Sequence, residues 1–249
     1  MKIYLHYTIW NKCAHIPWIC EGIRKNIPKG SIIDFVFDNC TDGSQEAVRH
    51  LKFAPPTQYG SLYGYEVRYF DSEKKLRMPN TNDAIERFMK SDCSLFLSPQ
   101  DDMKIQDHKI VQNLIKLYQE VPTIGLVGMR DGIKEGYFYS SNHSPGGPPD
   151  RTTFLNSGEY KDVWFVNDGP LCLSKATIEK VGLFNTEYWA HYIDNDYCWR
   201  AEALGLTNYV MGAEIVHEKW GQVQQSEVWN QEYSSHDYDL YKEKWPTKL

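Results

Sequence analysis

The chain lacks any apolar run approaching the roughly 20 residues that cross a bilayer. It also lacks internal repeats and low-complexity tracts. Residues 1–10 hold one Lys and no long apolar core, so they do not read as a secretory leader. Positive charge is in the minority: 27 Lys+Arg against 33 Asp+Glu give a net charge of −6, which argues against a broad duplex-binding surface. Cysteine is sparse. The six, at 13, 20, 40, 93, 172 and 198, form no CxxC pair, which excludes a zinc site of that spacing, and read as reduced core thiols. The expectation is a soluble, cytoplasmic protein. A sequon, Asn39-Cys40-Thr41, falls in a segment read below as a nucleotide site, where a glycan would obstruct.

What is present is ordinary for a folded domain: 249 residues, 41% hydrophobic, 14% aromatic and 24% charged, enough for a sizeable core. Residues 2–9 read as a strand. Ile16, Ile19, Cys20, Ile23 and Ile27 recur at helical spacing, with Pro17 acceptable at a helix start. The run 32–37, interrupted only by Asp34, suits a buried parallel strand. Ser44 is placed to cap a helix over Ala47, Val48 and Leu51, and Asn80 one over Ala84, Ile85, Phe88 and Met89. Further strands are expected at 66–70, 94–97, 123–127, 164–166, 171–174 and 208–211, and further helices from Ile110, at 176–181 and at 194–204 with Gly205 as its stop. Such β-α alternation means an α/β fold with a mostly parallel central sheet flanked by helices. Residues 134–162, rich in Gly and Pro, read as a functional loop, and the tail from Gln222 as polar and aromatic.

In open α/β sheets ligands lie beyond the carboxyl ends of the strands, so the residues there are the candidates. Strand 32–37 runs into Asp38, Asn39, Cys40, Thr41, Asp42, Gly43 and Ser44. This stretch is suited to a nucleoside's polar edges, or is simply a βα turn with local hydrogen bonds. Strand 94–97 ends in Ser98, Pro99, Gln100, Asp101 and Asp102. Adjacent carboxylates there invite a shared Mg²⁺ or Mn²⁺; the alternative is an acid-enriched helix N-terminus. Asp194 and Asp196 open another helix, where Arg200 pairs with Asp196 at i,i+4 and leaves Asp194 for another task. His217 stands out from the other histidines because it follows an apolar, strand-like run.

Taken in order, these segments resemble the inverting family-2 glycosyltransferases of the GT-A fold, in particular their rhamnosyltransferase-like branch. The matching pieces are Asp38 to Gly43, the Asn82-Asp83-Ala84 helix, the strand leading to Asp102, and Gly169 to Lys175. They continue with Val181-Gly182-Leu183-Phe184-Asn185, then Asp194-Asn195-Asp196 with Arg200, Gly205 and His217, and a closing Lys244-Trp245. The resemblance covers roughly 1–128 and 164–249. It departs at Gln100, where many members have an acid, at Ile193, which replaces Glu, and at Asn185, which replaces Asp.

The resemblance implies a single glycosyltransferase domain over 1–249, with a nucleotide-sugar half (1–103) and an acceptor half (104–249) that includes loop 134–162. It implies metal-dependent transfer of a sugar from a nucleotide-sugar donor to an acceptor hydroxyl with inversion. The implied site has Asp194 as base, Asp38, Asp42, Asn82 and Asp101 on the donor, and Mn²⁺ or Mg²⁺ on Asp102 with His217 as a further contact. Trp164, Trp189 and the loop tyrosines are candidates to stack on sugars, or are plain core. The acceptor could be a saccharide, a lipid-linked saccharide, a protein or a modified nucleic acid. Two rival classes are a metal-dependent phosphohydrolase using Asp101 and Asp102, and a nucleotide-sugar-binding module without turnover.

Overall fold

Strands β1 (Ile3–Ile9) and β2 (Ile32–Asp38) are buried along their whole length, which requires cover on both faces of the sheet. The computed structural model describes residues 2–50, 61–62, 64–73, 76–130, 139–140, 155–166, 169–217 and 227–247. The first half places α1 (Ile16–Asn26) after β1 and α2 (Ser44–His50) after β2, then β3 (Ser61–Leu62), β4 (Tyr65–Ser72), α3 (Arg77–Met89) and β5 (Leu95–Ser98). There follow β6 (Met103–Ile105), α4 (Ile110–Glu120), β7 (Ile124–Arg130), β8 (Tyr139–Ser140), β9 (Tyr160–Phe165) and β10 (Leu171–Ser174). The chain continues through α5 (Lys175–Val181), α6 (Ile193–Ala203), β11 (Thr207–Gly212), β12 (Ile215–His217) and α7 (Glu227–Lys244).

One ten-stranded sheet has the order β3-β4-β2-β1-β5-β10-β7-β11-β9-β8. Strands β4, β2, β1 and β5 pair in parallel, and β7 pairs in parallel with β11. Strand β10 enters antiparallel between β5 and β7, so those two still point the same way. Apolar residues of α1, α2 and α4 join one core cluster, and those of α3, α5, α6 and the end of α7 join the other, so the helices divide between the two faces. The fold is α/β with a mostly parallel central sheet.

A second, two-stranded sheet matters more for the site. Strand β6 pairs antiparallel with β12, setting His217 opposite Met103. Helix α1 backs this pair: Asn26 Nδ2 donates to Ile105 O at 2.8 Å, and a Cβ on Gly22 would meet that oxygen at 2.7 Å.

Several expectations are corrected here. Asn80 does not cap α3 but lies buried inside it, because the helix starts at Arg77 behind Leu76, whose φ is 67°. Asp101 and Asp102 do not open a helix; β6 follows them. The polar and aromatic tail, given no element above, contains α7, anchored by the buried Asp237 and Tyr241. Of the loop expected over 134–162, residues 134–138 and 141–154 lie outside the described residues, and β9 begins within it, at Tyr160.

Candidate active site

The carboxyl edge of the parallel strands gathers the acidic residues. Asp38 ends β2 opposite Ser72 of β4, is only 4% exposed, and accepts the Leu76 N–H at 3.1 Å through Oδ2. That bond pins a leucine in a left-handed conformation and so anchors the start of α3 beside the β2 edge. Asp42 is occupied locally. It accepts the N–H of Cys13 at 2.8 Å, the N–H of Ser44 at 3.0 Å and the Ser44 hydroxyl at 2.5 Å. Burial alone would raise its carboxyl, but these donors more than offset that and hold it below the usual range. Asn82 is occupied too: its amide donates to Phe184 O at 2.9 Å and accepts Phe184 N–H at 3.0 Å, tying α3 to the segment after α5.

Beyond β5, Asp101 accepts the Trp10 N–H at 3.0 Å, and Lys12 Nζ stands 3.9 Å from its other oxygen. Burial pushes the Asp101 carboxyl up to about 6, against the pull of Lys12 and the Trp10 N–H. Asp102 faces the second sheet. Its Oδ1 is buried and makes no well-formed hydrogen bond among the described residues; His217 Nε2 approaches it to 3.4 Å. Burial opposes ionisation of Asp102 as well, but His217 and Lys12 outweigh it and hold the carboxyl below its ordinary value. Gln100 packs against the turn into β10, where a Cβ on Gly169 would meet its side chain at 3.0 Å. No three His, Cys, Asp or Glu side chains converge as a metal cage among the described residues.

The second acidic group stands at the start of α6. This helix runs back along β7. A Cβ on Gly125 would meet Ala201, whereas Gly128 lies under Val166, whose backbone contacts the Cys198 thiol. Moving toward the α6 N-terminus therefore means moving toward the carboxyl end of β7, and Asp194 lies at that edge. Asp196 is 3% exposed and committed elsewhere: Arg200 Nε donates to it at 2.9 Å and Trp245 Nε1 at 3.0 Å, while Arg200 also donates to the carbonyls of Val181 and Leu183. Asp194 makes a local bond, accepting the Asn195 N–H at 2.9 Å.

No protein-family model matches the sequence, and no curated protein matches it. Solved structures do match in shape. The mannosyltransferase PcManGT from Pyrobaculum calidifontis, in complex with GDP-Man and Mn²⁺, aligns with TM-score 0.65 at 14% identity, over 95% of this chain and 63% of that one. S. aureus TarS 1-349 in complex with UDP-GlcNAc aligns with TM-score 0.59 at 13% identity, over 91% and 61%. GalNAc-T7 with UDP, GalNAc and Mn²⁺ aligns with TM-score 0.62 at 12% identity, over 96% and 50%. The fold is that of the GT-A glycosyltransferases. The chain spans only half to two-thirds of the length of these three neighbours.

Two buried charged residues beside these candidates escape sequence reading. Lys12 is buried at the β1 edge, a location that no local pattern signals. Asp237, fully buried on α7, accepts the N–H groups of Trp189, Ala190 and His191 at 2.9, 2.8 and 2.7 Å, and so fixes the loop leading into Asp194. Of the aromatic candidates, Trp164 packs 5.9 Å from Trp199, whereas Trp189 is 38% exposed and stacks on His236 at 3.6 Å. Among the described residues, no helix is long and apolar enough to cross a membrane.

Proposed function

We propose that this chain transfers a sugar from a nucleotide-sugar donor to an acceptor hydroxyl with inversion at the anomeric carbon. The observation that carries the reading is Asp102: a buried carboxylate oxygen without a proper partner, next to His217, at the carboxyl edge of a GT-A sheet. A buried carboxylate oxygen with no hydrogen bond among the described residues, beside an imidazole, fits a divalent ion: Asp102 and His217 would hold Mn²⁺ or Mg²⁺ there. Such an ion supplies charge neutralisation for the departing diphosphate.

The chain's own residues do the rest. Asp38 holds the nucleoside at the β2 edge, while Asp42 shapes the β2–α2 turn beneath it. Asn82 sets the Phe184 segment, and Asp101 sits between the metal residue and Lys12. Asp194 takes the acceptor hydroxyl's proton as that oxygen attacks from the face opposite the leaving group, which inverts the centre. Asp196, bound to Arg200 and Trp245, holds the helix that presents it.

The test is nucleoside diphosphate release from a panel of UDP- and GDP-sugars with Mn²⁺ or Mg²⁺, with and without simple saccharide acceptors. Acceptor-stimulated release by the wild type, lost by about 10²–10⁴-fold in Asp194→Asn with nucleotide binding retained, is the expected result. Release of nucleoside monophosphate and sugar phosphate in place of nucleoside diphosphate would favour the phosphohydrolase, and binding without release would favour the binding module.

A further inference from the structure

Lys12 is a cation in a demanding place. It lies just past the end of β1, beside Asn11 with φ 51°, and only 5% of its side chain is exposed. A buried ammonium needs compensating charge. Asp101 provides it only loosely: Nζ is 3.9 Å from Oδ1, beyond hydrogen-bond reach, while Oδ2 is taken by the Trp10 N–H.

Its position in the sheet says more. From β1 the chain goes to β2 and β4 on one side, then returns to β5 on the other. The crevice between the carboxyl ends of β1 and β5 is therefore the topological switch point, where ligands bind in such sheets. Lys12 enters it from the β1 side, and Asp101 and Asp102 from the β5 side. A divalent ion there would have its charge matched by Asp101 and Asp102 alone. A diphosphate brought there calls for a further cation, and Lys12 is a buried one beside Asp101.

We infer that Lys12 is a phosphate-binding residue of the donor site, donating from Nζ to the nucleotide's diphosphate, so that nucleoside diphosphates bind this chain even without a divalent ion. The inference rests on the nucleotide-sugar reading above and goes beyond it by naming a metal-independent anchor. The competing role is purely internal, with Lys12 serving only to neutralise Asp101.

Calorimetric titration of UDP, GDP, UMP and GMP in EDTA and in Mn²⁺ separates these, using wild type, Lys12→Met, Lys12→Arg and the double variant Lys12→Met/Asp101→Asn. The double variant removes both charges, so it guards against a misfolded Lys12→Met. Wild type should bind UDP or GDP in EDTA more tightly than the monophosphate. Lys12→Met and the double variant should each lose about 10- to 100-fold of that affinity, the range of a charge-assisted hydrogen bond. Lys12→Arg should retain most of it, and monophosphate affinity should change little. Wild-type affinity in the double variant, or no binding of diphosphate to wild type in EDTA while Mn²⁺ restores it, would overturn the inference and leave the nucleotide-sugar reading standing. Absence of any nucleotide binding to wild type, with Mn²⁺ present, would remove both.

Discussion

Replacing Asp237 by Ala tests how the tail helix governs the loop before Asp194, the proposed base. One fully buried carboxylate accepts three consecutive N–H groups, from Trp189, Ala190 and His191, and also contacts His236 Nδ1 at 2.8 Å. Hydrogen bonds to a charged acceptor are worth about 1.5–3 kcal/mol each. The loop is only partly buried, so water recovers part of this, and a net loss of about 3 kcal/mol is reasonable. For a chain of this size that corresponds to a fall in Tm of roughly 6–12 °C. Because the loop enters α6 three residues before Asp194, kcat should fall while donor KM holds. The pH dependence has a definite sign. Burial would raise the Asp237 carboxyl, but the three N–H groups and His236 outweigh it and hold it below the ordinary value. Its contribution is thus fully present above the unfolded value of about 4 and is lost as pH falls through the lower folded value. The Tm gap between wild type and Asp237→Ala should be widest near neutrality and narrow in acid. Differential scanning calorimetry from pH 7 to 3 measures it; a gap below 2 °C at pH 7, or one that widens in acid, would refute the reasoning.

Other outcomes follow from the same contacts. Arg87 holds the fully buried Asp34 through two bonds of 2.9 and 3.1 Å, with His6 and Tyr4 on the same carboxylate. Arg87→Met should cost about 3–5 kcal/mol in urea denaturation, and adding Asp34→Asn should recover much of it. Asn82→Ala orphans both backbone groups of Phe184, so it should lower stability by roughly 2 kcal/mol while nucleotide affinity changes little. A calorimetric loss of nucleotide affinity without a loss of stability would instead put Asn82 against the donor.

The sequence is legible where local pattern and tertiary environment agree. The run 32–37 announced a buried parallel strand because such a strand tolerates continuous apolar residues. Asn80 misled because the start of α3 is imposed by Asp38, 38 residues earlier in the chain. The β6–β12 pair joins two three-residue strands across more than a hundred residues, too short for periodicity to detect, yet it brings His217 to Asp102. The anchors of helix α7 among the described residues include Asp237, Tyr241 and the following Trp245, a mix that gives no apolar period to read. The i,i+4 pairing of Asp196 with Arg200 was readable from spacing alone, and the added bond from Trp245 gives the closing Lys244-Trp245 pair a physical role.

On the proposed function, a nucleotide-sugar occupies the carboxyl edge of this sheet. Calorimetric titration of UDP- and GDP-sugars in Mn²⁺, against wild type, Asp38→Ala and Asp102→Ala, tests it most directly. At least one donor should bind wild type, Asp38→Ala should weaken every sugar of that nucleotide alike, and Asp102→Ala should abolish the gain from Mn²⁺. Donors that bind wild type and both variants equally, or that bind none of the three, would contradict it.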